Sequence, residues 1–412
     1  MGHSSIGGSS PHFATPGTRR RRYFLRAAAA VVGLPMTLRA LASSSPVRVG
    51  VDAEFGLEDS TSAQAIELGL RVAIAEVNQA GGVLGGRPLE LVTRDNRSMP
   101  ARAMSNLRDL AGQTDLVAVF GGKFSPVMIE AVPLAQELQL PLLAVWSSAD
   151  PIVEHAYRPS YVFRLALRDS LAMPKMLDTA ATRGLRRAGL FLANTGWGRS
   201  NLAAAQRHVG TAGRSTIAGV GWYNWGERTV VDRYRSLVAN GAEIVVAVAN
   251  DDDGALLVRE VAQLPASERV PLLFHQGITG GRFVPMCGPA LQTLDVSVLQ
   301  TFSFFDADAR QRERFMATAR RLGAATGHEH IEAPTGVAHA YDLLHILALA
   351  VDQAGSTNRP AVRAALEQVR SHRGLIKHYA PPFTRTRHEA LGPRELLIAR
   401  YRADGALVPD AR

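Results

Sequence analysis

The sequence predicts an α/β protein of two lobes, each built on a parallel sheet. Three observations carry this. Between residues 47 and 146, short aliphatic runs alternate with amphipathic helical stretches, and the alternation starts afresh beyond residue 165. The 412 residues, 46% of them hydrophobic, supply enough apolar side chain for two cores. Strand, helix and strand at such spacing form parallel βαβ units whose sheet is covered on both faces.

In chain order, VRVGVD (47–52) is a β-branched strand. A helix follows, with Ile66, Leu70, Ala73, Ile74 and Val77 on one face at helical spacing. PLELVT (88–93) is the second strand, and Ser98 and Pro100 start a helix bearing Met104, Leu107, Leu110 and Ala111. The strand DLVAVFG (115–121), a helix from Ser125 and the strand PLLAVW (141–146) complete the first unit. In the second, the strands are RRAGLFLAN (186–194), TIAGVGWY (216–223), EIVVAVAN (243–250), VPLLFHQ (270–276) and VSVLQTF (296–302). The last third is helical over 308–322, 335–354 and 359–370 and ends in the strand ELLIARY (395–401).

The formal charge of +9 is unevenly placed. Residues 1–42 hold six arginines and no acid, which leaves +3 scattered over the remainder. No concentrated basic face results, so nucleic acid is excluded as a partner. Cys287, the single cysteine, rules out an internal disulfide and any cysteine-based metal cluster. In TRRRRYFLRAAAAVVGLPMTLRALA (18–42) a basic segment precedes a modest apolar one and a small-residue end, the pattern of an export signal. Arg21 to Arg26 resembles the twin-arginine motif, which addresses folded proteins for export. Gly33, Pro35 and Arg39 interrupt the apolar run, which is too short to span ~30 Å of hydrocarbon. The expectation is a periplasmic protein with no stable membrane insertion once residues 1–42 are removed.

AEVNQAGGVLGGRPLELVTRDN (75–96) places four glycines within six residues, as a phosphate-binding loop would. A phosphate loop follows a strand and opens a helix, so that free amides face the anion. Here the order is reversed: Gly81 and Gly82 end a helix, and Gly85 and Gly86 turn into a strand. The loop is therefore structural.

Parallel sheets bind ligands beyond the carboxyl ends of their strands. After VAVFGG come Lys123, Phe124, Ser125 and Pro126, with Ser125 as N-cap and Pro126 as first helical residue, so that free amides can hold an anion. After PLLAVW come Ser147, Ser148 and Asp150, and Trp146 either walls a pocket or packs between lobes. Glu54 follows the first strand, facing a cationic group or standing in solvent. Trp197, between Gly196 and Gly198, is an aromatic lid or simple turn packing. Asn250 and Asp251 follow EIVVAVA, and His275 and Gln276 end VPLLFHQ. The run Asp251 to Asp253 reads as a solvated face, since consecutive acids cannot all point one way.

The stretch 75–96 resembles the signature of periplasmic substrate-binding proteins of the branched-chain amino acid (Leu/Ile/Val) type, and other segments match that family in the same order. These are GLRVAIAEVN (69–78), VAVFGGKFSPV (117–127), YVFRLALRDS (161–170), TGWGRS (195–200), AYDLLHILALAVDQAGS (340–356) and HEALGPRELLIARYRADGALVP (388–409). The resemblance implies a type I binding-protein fold: two Rossmann-like lobes joined by a three-crossing hinge, with a ligand closed between them. Lobe one would hold 47–164 with about 300–370, and lobe two 165–299 with about 371–412. It further implies that Ser125 and the turn at Ser147 and Ser148 hold a ligand carboxylate. Amino-acid-binding members place an acid after the strand that here ends in His275 and Gln276, yet HQGITGG (275–281) has none. Either Asp251 substitutes for it, or the ligand is an amine-free acid, aromatic in view of Trp146 and Trp197.

There is no nucleophile elbow, no H-E-x-x-H and no complete dinucleotide fingerprint, and His328 and His330 do not share a helix face. The sequence implies no catalysis, metal or cofactor. It favours an exported receptor delivering a carboxylate-bearing small molecule to the membrane subunits of an ATP-binding-cassette (ABC) importer. The alternatives are the same receptor docked to a membrane sensor, and an exported α/β enzyme.

Overall fold

A computed structural model describes residues 45–410 apart from 59 and 325–326. The export signal expected over 1–42 lies outside the described residues. Strands β1 (Val47–Ala53), β2 (Leu89–Asp95), β3 (Leu116–Gly121), β4 (Leu142–Ala144) and β5 (Val162–Arg164) pair in the order β2-β1-β3-β4-β5, all parallel. Helices α1 (Ser62–Gln79), α2 (Pro100–Ala111) and α3 (Ser125–Glu137) connect the first four.

After α4 (Asp169–Thr182) the scheme is repeated by β6 (Arg187–Ala193), β7 (Thr216–Tyr223), β8 (Ile244–Val248), β9 (Leu272–Phe274) and β10 (Val296–Gln300). Their order, β7-β6-β8-β9-β10, is again parallel throughout. Helices α5 (Gly196–Ala212), α6 (Val231–Ala239), α7 (Asp251–Ala262) and the short α8 (Phe283–Cys287) lie between them. Strands β3 and β8 are buried along their whole length, as a sheet covered on both faces requires, while the edge strands β2 and β7 stay partly exposed.

Helices α9 (Ala309–Arg321), α10 (Pro334–Ala354) and α11 (Arg359–Leu366) return to the first lobe, where α10 lies along α1 over Val49, Val51, Phe120 and Leu143. A small hairpin, β11 (His372–Arg373) with β12 (His378–Tyr379), follows. Strands β13 (Leu397–Tyr401) and β14 (Leu407–Pro409) then add to β10 in antiparallel fashion. The chain thus passes between lobes three times, at 165–168, 301–308 and 392–396.

Two expectations need correction. Residues 371–391 pack with lobe one, because Leu375, Tyr379 and Phe383 enter its core. Asp342 of α10 secures this segment, accepting from Leu375 N at 2.6 Å, Ile376 N at 3.0 Å and the Tyr379 hydroxyl at 2.8 Å. Secondly, Val162–Arg164, not counted among the strands expected from the sequence, is the fifth strand of the sheet, since all three residues are buried beside β4. The glycine loop joins helix to strand as expected. All four glycines have positive φ, and a Cβ on Gly82 would lie 2.3 Å from the Arg87 carbonyl oxygen.

Two buried polar groups hold the crossings. Arg164 ends β5 just before the first passage, and its guanidinium, 0% exposed, grips Glu389 through Nε–Oε2 at 2.9 Å and Nη2–Oε1 at 2.5 Å. Glu389 stands just ahead of the third passage. His339 of α10 joins Val145 O at 2.9 Å to the Thr301 hydroxyl at 2.8 Å, the latter within the second passage. Burial pushes His339 down to about 4 from an ordinary 6.5, so the folded protein keeps it neutral.

Replacing Glu389 by Ala leaves a guanidinium buried without its counter-ion and is expected to remove about 3–5 kcal/mol of unfolding free energy in chemical denaturation. A loss below about 1 kcal/mol, the worth of an exposed pair, would mean that the pair is solvated. For His339 the unfolded chain takes up a proton below pH 6.5 and the folded chain only near 4, so its contribution is complete above 6.5 and lost as pH falls. The stability gap between the wild type and His339→Gln should narrow by about 2 kcal/mol between about pH 7.5 and 4.5. A constant gap would contradict the assigned neutral state.

Candidate binding cleft between the lobes

Both sheets reverse strand order beside their first strand, β2-β1-β3 in lobe one and β7-β6-β8 in lobe two, and the carboxyl ends flanking each reversal form a crevice. The two crevices share one narrow cavity. Lobe one contributes Lys123, Phe124 and Ser125 after β3, with Trp146 and Ser148 after β4. Lobe two contributes Trp197 after β6, Trp225 after β7, Asn250 after β8, and His275, Gln276 and Gly277 after β9.

Local sequence explains these placements. Ser125 is not the N-cap: Phe124 takes that position in extended conformation, and Ser125 opens α3 with Pro126 behind it. The Ser125 hydroxyl is drawn instead to the neighbouring loop, where it accepts from Ser148 N at 3.2 Å and Ala149 N at 3.3 Å. A hydroxyl can also donate one proton, and Ser125 is among the residues lining the cavity. Trp146 fits because Gly336 of α10 has no side chain: a Cβ there would lie 2.2 Å from the indole. Gly277 makes similar room for Trp197, 2.6 Å from where its Cβ would be. Phe124 meets Trp225 edge to face across the lobes, with centroids 5.4 Å apart.

Three predicted residues stand outside the lining. Ser147 donates to Gly122 O at 2.7 Å, bracing the turn. Glu54 is buried rather than solvated, and its carboxylate accepts from the Ser62 hydroxyl and from Lys123 N. Asp251 opens α7 and forms an ion pair of 2.6 Å with Lys123 Nζ, the side chains 4% and 3% exposed. The triple acid is therefore not a solvated face: only Asp252 is exposed, and Asp253 accepts from Gly226 N at 3.3 Å. Burial lifts Asp253 to about 6.

The remaining predicted residues, Phe124, Ser125, Trp146, Ser148, Trp197, Asn250, His275 and Gln276, come together at the cavity. Several of their polar atoms are buried and without a hydrogen-bond partner: the indole N–H groups of Trp146 and Trp197, both ring nitrogens of His275, and Gln276 Oε1. Buried polar groups are normally paired, so a cluster of orphans marks a place for a ligand. The Gln276 amide also donates to Trp146 O at 3.2 Å, bridging the lobes.

Behind His275 lies fully buried Asp169, whose Oδ1 is 3.5 Å from Nε2. Sequence reasoning missed Asp169, which opens a helix in the crossover and carries no local signal. It also passed over Lys123 and Trp225, although both follow strand ends and Lys123 is one of only three lysines in the chain. Burial pushes the Cys287 thiol up to about 12, which makes it inert. Among the described residues no cluster could hold a metal ion.

Because Lys123 and Asp251 belong to different lobes, a partner left alone can escape to water by opening. Lys123→Met is accordingly expected to increase the radius of gyration in small-angle X-ray scattering while lowering unfolding free energy less than Glu389→Ala, whose partners share a lobe. An unchanged radius would show that the pair does not hold the lobes together.

The profile of the periplasmic binding protein family matches residues 46–406. Among solved structures, a periplasmic binding protein type 1 from Bordetella pertussis superposes with a TM-score of 0.78 at 18% identity, covering 89% of this chain and 100% of that one. The branched-chain amino acid binding protein LivJ of Streptococcus pneumoniae, in complex with isoleucine, gives 0.72 at 17% identity over 89% and 100%. An ABC-transporter solute-binding protein of R. palustris, in complex with 4-hydroxybenzoate, gives 0.73 at 16% identity over 89% and 96%. At such identities the likeness is one of fold. No curated protein sequence matches.

Proposed function

The chain belongs to the periplasmic binding protein family, and we propose that it captures a small carboxylate by closing its lobes and delivers it to an ABC importer. The observation that carries this reading is the cavity lined from both lobes, with unpaired buried polar groups contributed by each of them. No acid is among its lining residues, whereas the Lys123 ammonium, the Ser125 hydroxyl and the N-terminus of α3 are. Helix N-termini and cations favour a negative ligand. The two ligands named for the solved relatives, isoleucine and 4-hydroxybenzoate, both carry a carboxylate.

The family is one of exported receptors, so the site of action is the periplasm. The arginine-rich segment before residue 42 supports the twin-arginine route. Ligand contacts from both lobes exist only when the cleft is shut, so binding shifts the population toward the closed form. The open form then exchanges ligand with the surroundings, and the closed form is the one the importer's membrane subunits would recognise.

Ser125→Ala removes a hydroxyl proton from the carboxylate site and is expected to weaken binding by about 1–3 kcal/mol in calorimetric titration. Unchanged affinity would place the carboxylate elsewhere. Delivery predicts that the loaded protein, and not the empty one, stimulates ATP hydrolysis by the importer in reconstituted vesicles.

A further inference from the structure

We propose that the ligand is an aryl carboxylate without an ammonium group, because Lys123 supplies from the protein the cation that an amino acid would bring. This rests on the carboxylate reading above and narrows it to one chemical class.

A buried ammonium requires an anion or a set of free acceptors. Of the acids near the cleft, none lines it. Asp251 is taken by Lys123 Nζ at 2.6 Å, which also approaches Gly280 O at 3.5 Å. A carboxylate and a carbonyl together make an ammonium seat, and here a side chain of the protein fills it. Glu54 is engaged by Ser62 and by Lys123 N, while Asp169, whose two oxygens have no hydrogen-bond partner, stands off the lining with the His275 ring 3.5 Å away. At the seat formed by Asp251 and Gly280 O, a ligand ammonium would have to displace Lys123 or stand beside it, like charge against like.

The walls specify the rest of the molecule. Phe124, Trp146, Trp197 and Trp225 are four of the residues that line the cavity. Trp197 meets His275 edge-on at 5.1 Å, and Phe124 meets Trp225 edge-on at 5.4 Å. Flat rings fill such a space with offset and edge contacts that a branched aliphatic chain cannot match. The unpaired indole N–H groups and Gln276 Oε1 suit a group with both donor and acceptor character on the ring.

The test separates ring from amine. The protein is unfolded and refolded to strip any resident molecule. It is then titrated calorimetrically with benzoate, 4-hydroxybenzoate, cyclohexanecarboxylate, leucine, phenylalanine and benzylamine. The expected result is binding of the two benzoates about 100-fold more tightly than leucine, phenylalanine or benzylamine, the scale of one buried charge left without its counter-ion. Leucine or phenylalanine binding as well as the benzoates overturns the amine-free assignment and leaves the carboxylate reading intact. A preference for cyclohexanecarboxylate overturns the aryl assignment alone. Binding of benzylamine only, or of nothing in the panel, overturns both this proposal and the carboxylate reading.

Lys123→Ala frees Asp251 and is expected to move the phenylalanine-to-benzoate affinity ratio at least about tenfold toward phenylalanine. An unchanged ratio in the folded variant overturns the role given to Lys123. If that variant does not fold, the wild-type panel still decides.

Discussion

Strands that run parallel all finish on the same side of their sheet, and the rest of this molecule is arranged around that constraint. Each β-to-α connection in β2-β1-β3-β4-β5 and β7-β6-β8-β9-β10 delivers a loop and a helix N-terminus to that side. With two such sheets facing each other, eleven residues from six loops meet around one small space. No residue of the cavity had to be brought there by a special excursion of the chain. Even the small residues that admit the indoles, Gly277 and Gly336, sit on elements whose position the sheets already determine.

The charges near the cleft divide into two kinds. Arg164 and Glu389 lie within one lobe and are both buried, so they act as fixed architecture at the base of the crossings. Lys123 and Asp251 lie on opposite lobes, and their environment depends on whether the cleft is shut. The same chemistry, a buried cation beside a buried carboxylate, is thus structural in one place and conditional in the other. Geometry decides which, since a pair that can separate into water loses its desolvation cost when it does.

Much of this was legible in the sequence because it depends on local pattern. Aliphatic runs followed by Ser125, Trp146, Trp197, Asn250 or His275 identify strand ends without any knowledge of pairing, and those residues gather at the cavity. Cross-lobe partnership was not legible. Nothing near Lys123 announces that it meets Asp251, 128 residues later, nor does anything near Asp251 say that it will be buried rather than solvated. The placement of 371–391 failed for the same reason: Leu375, Tyr379 and Phe383 are spaced irregularly around a hairpin, and only Asp342 of α10 shows where they belong. The capping role given to Ser125 was displaced by amides from a loop more than twenty residues away.

The triple passage between lobes also governs how the molecule can be made. The core of lobe one joins β1 to α10 and to Phe383, and β13 of lobe two follows after residue 396. Neither lobe is therefore a continuous stretch of chain. A ribosome releasing this polypeptide from its N-terminus cannot hand over one finished lobe while the other is still being synthesised. Lobe one must wait for residues 371–391 and lobe two for 397–409, so the two are completed almost together, and removal of everything beyond residue 370 takes a part from each.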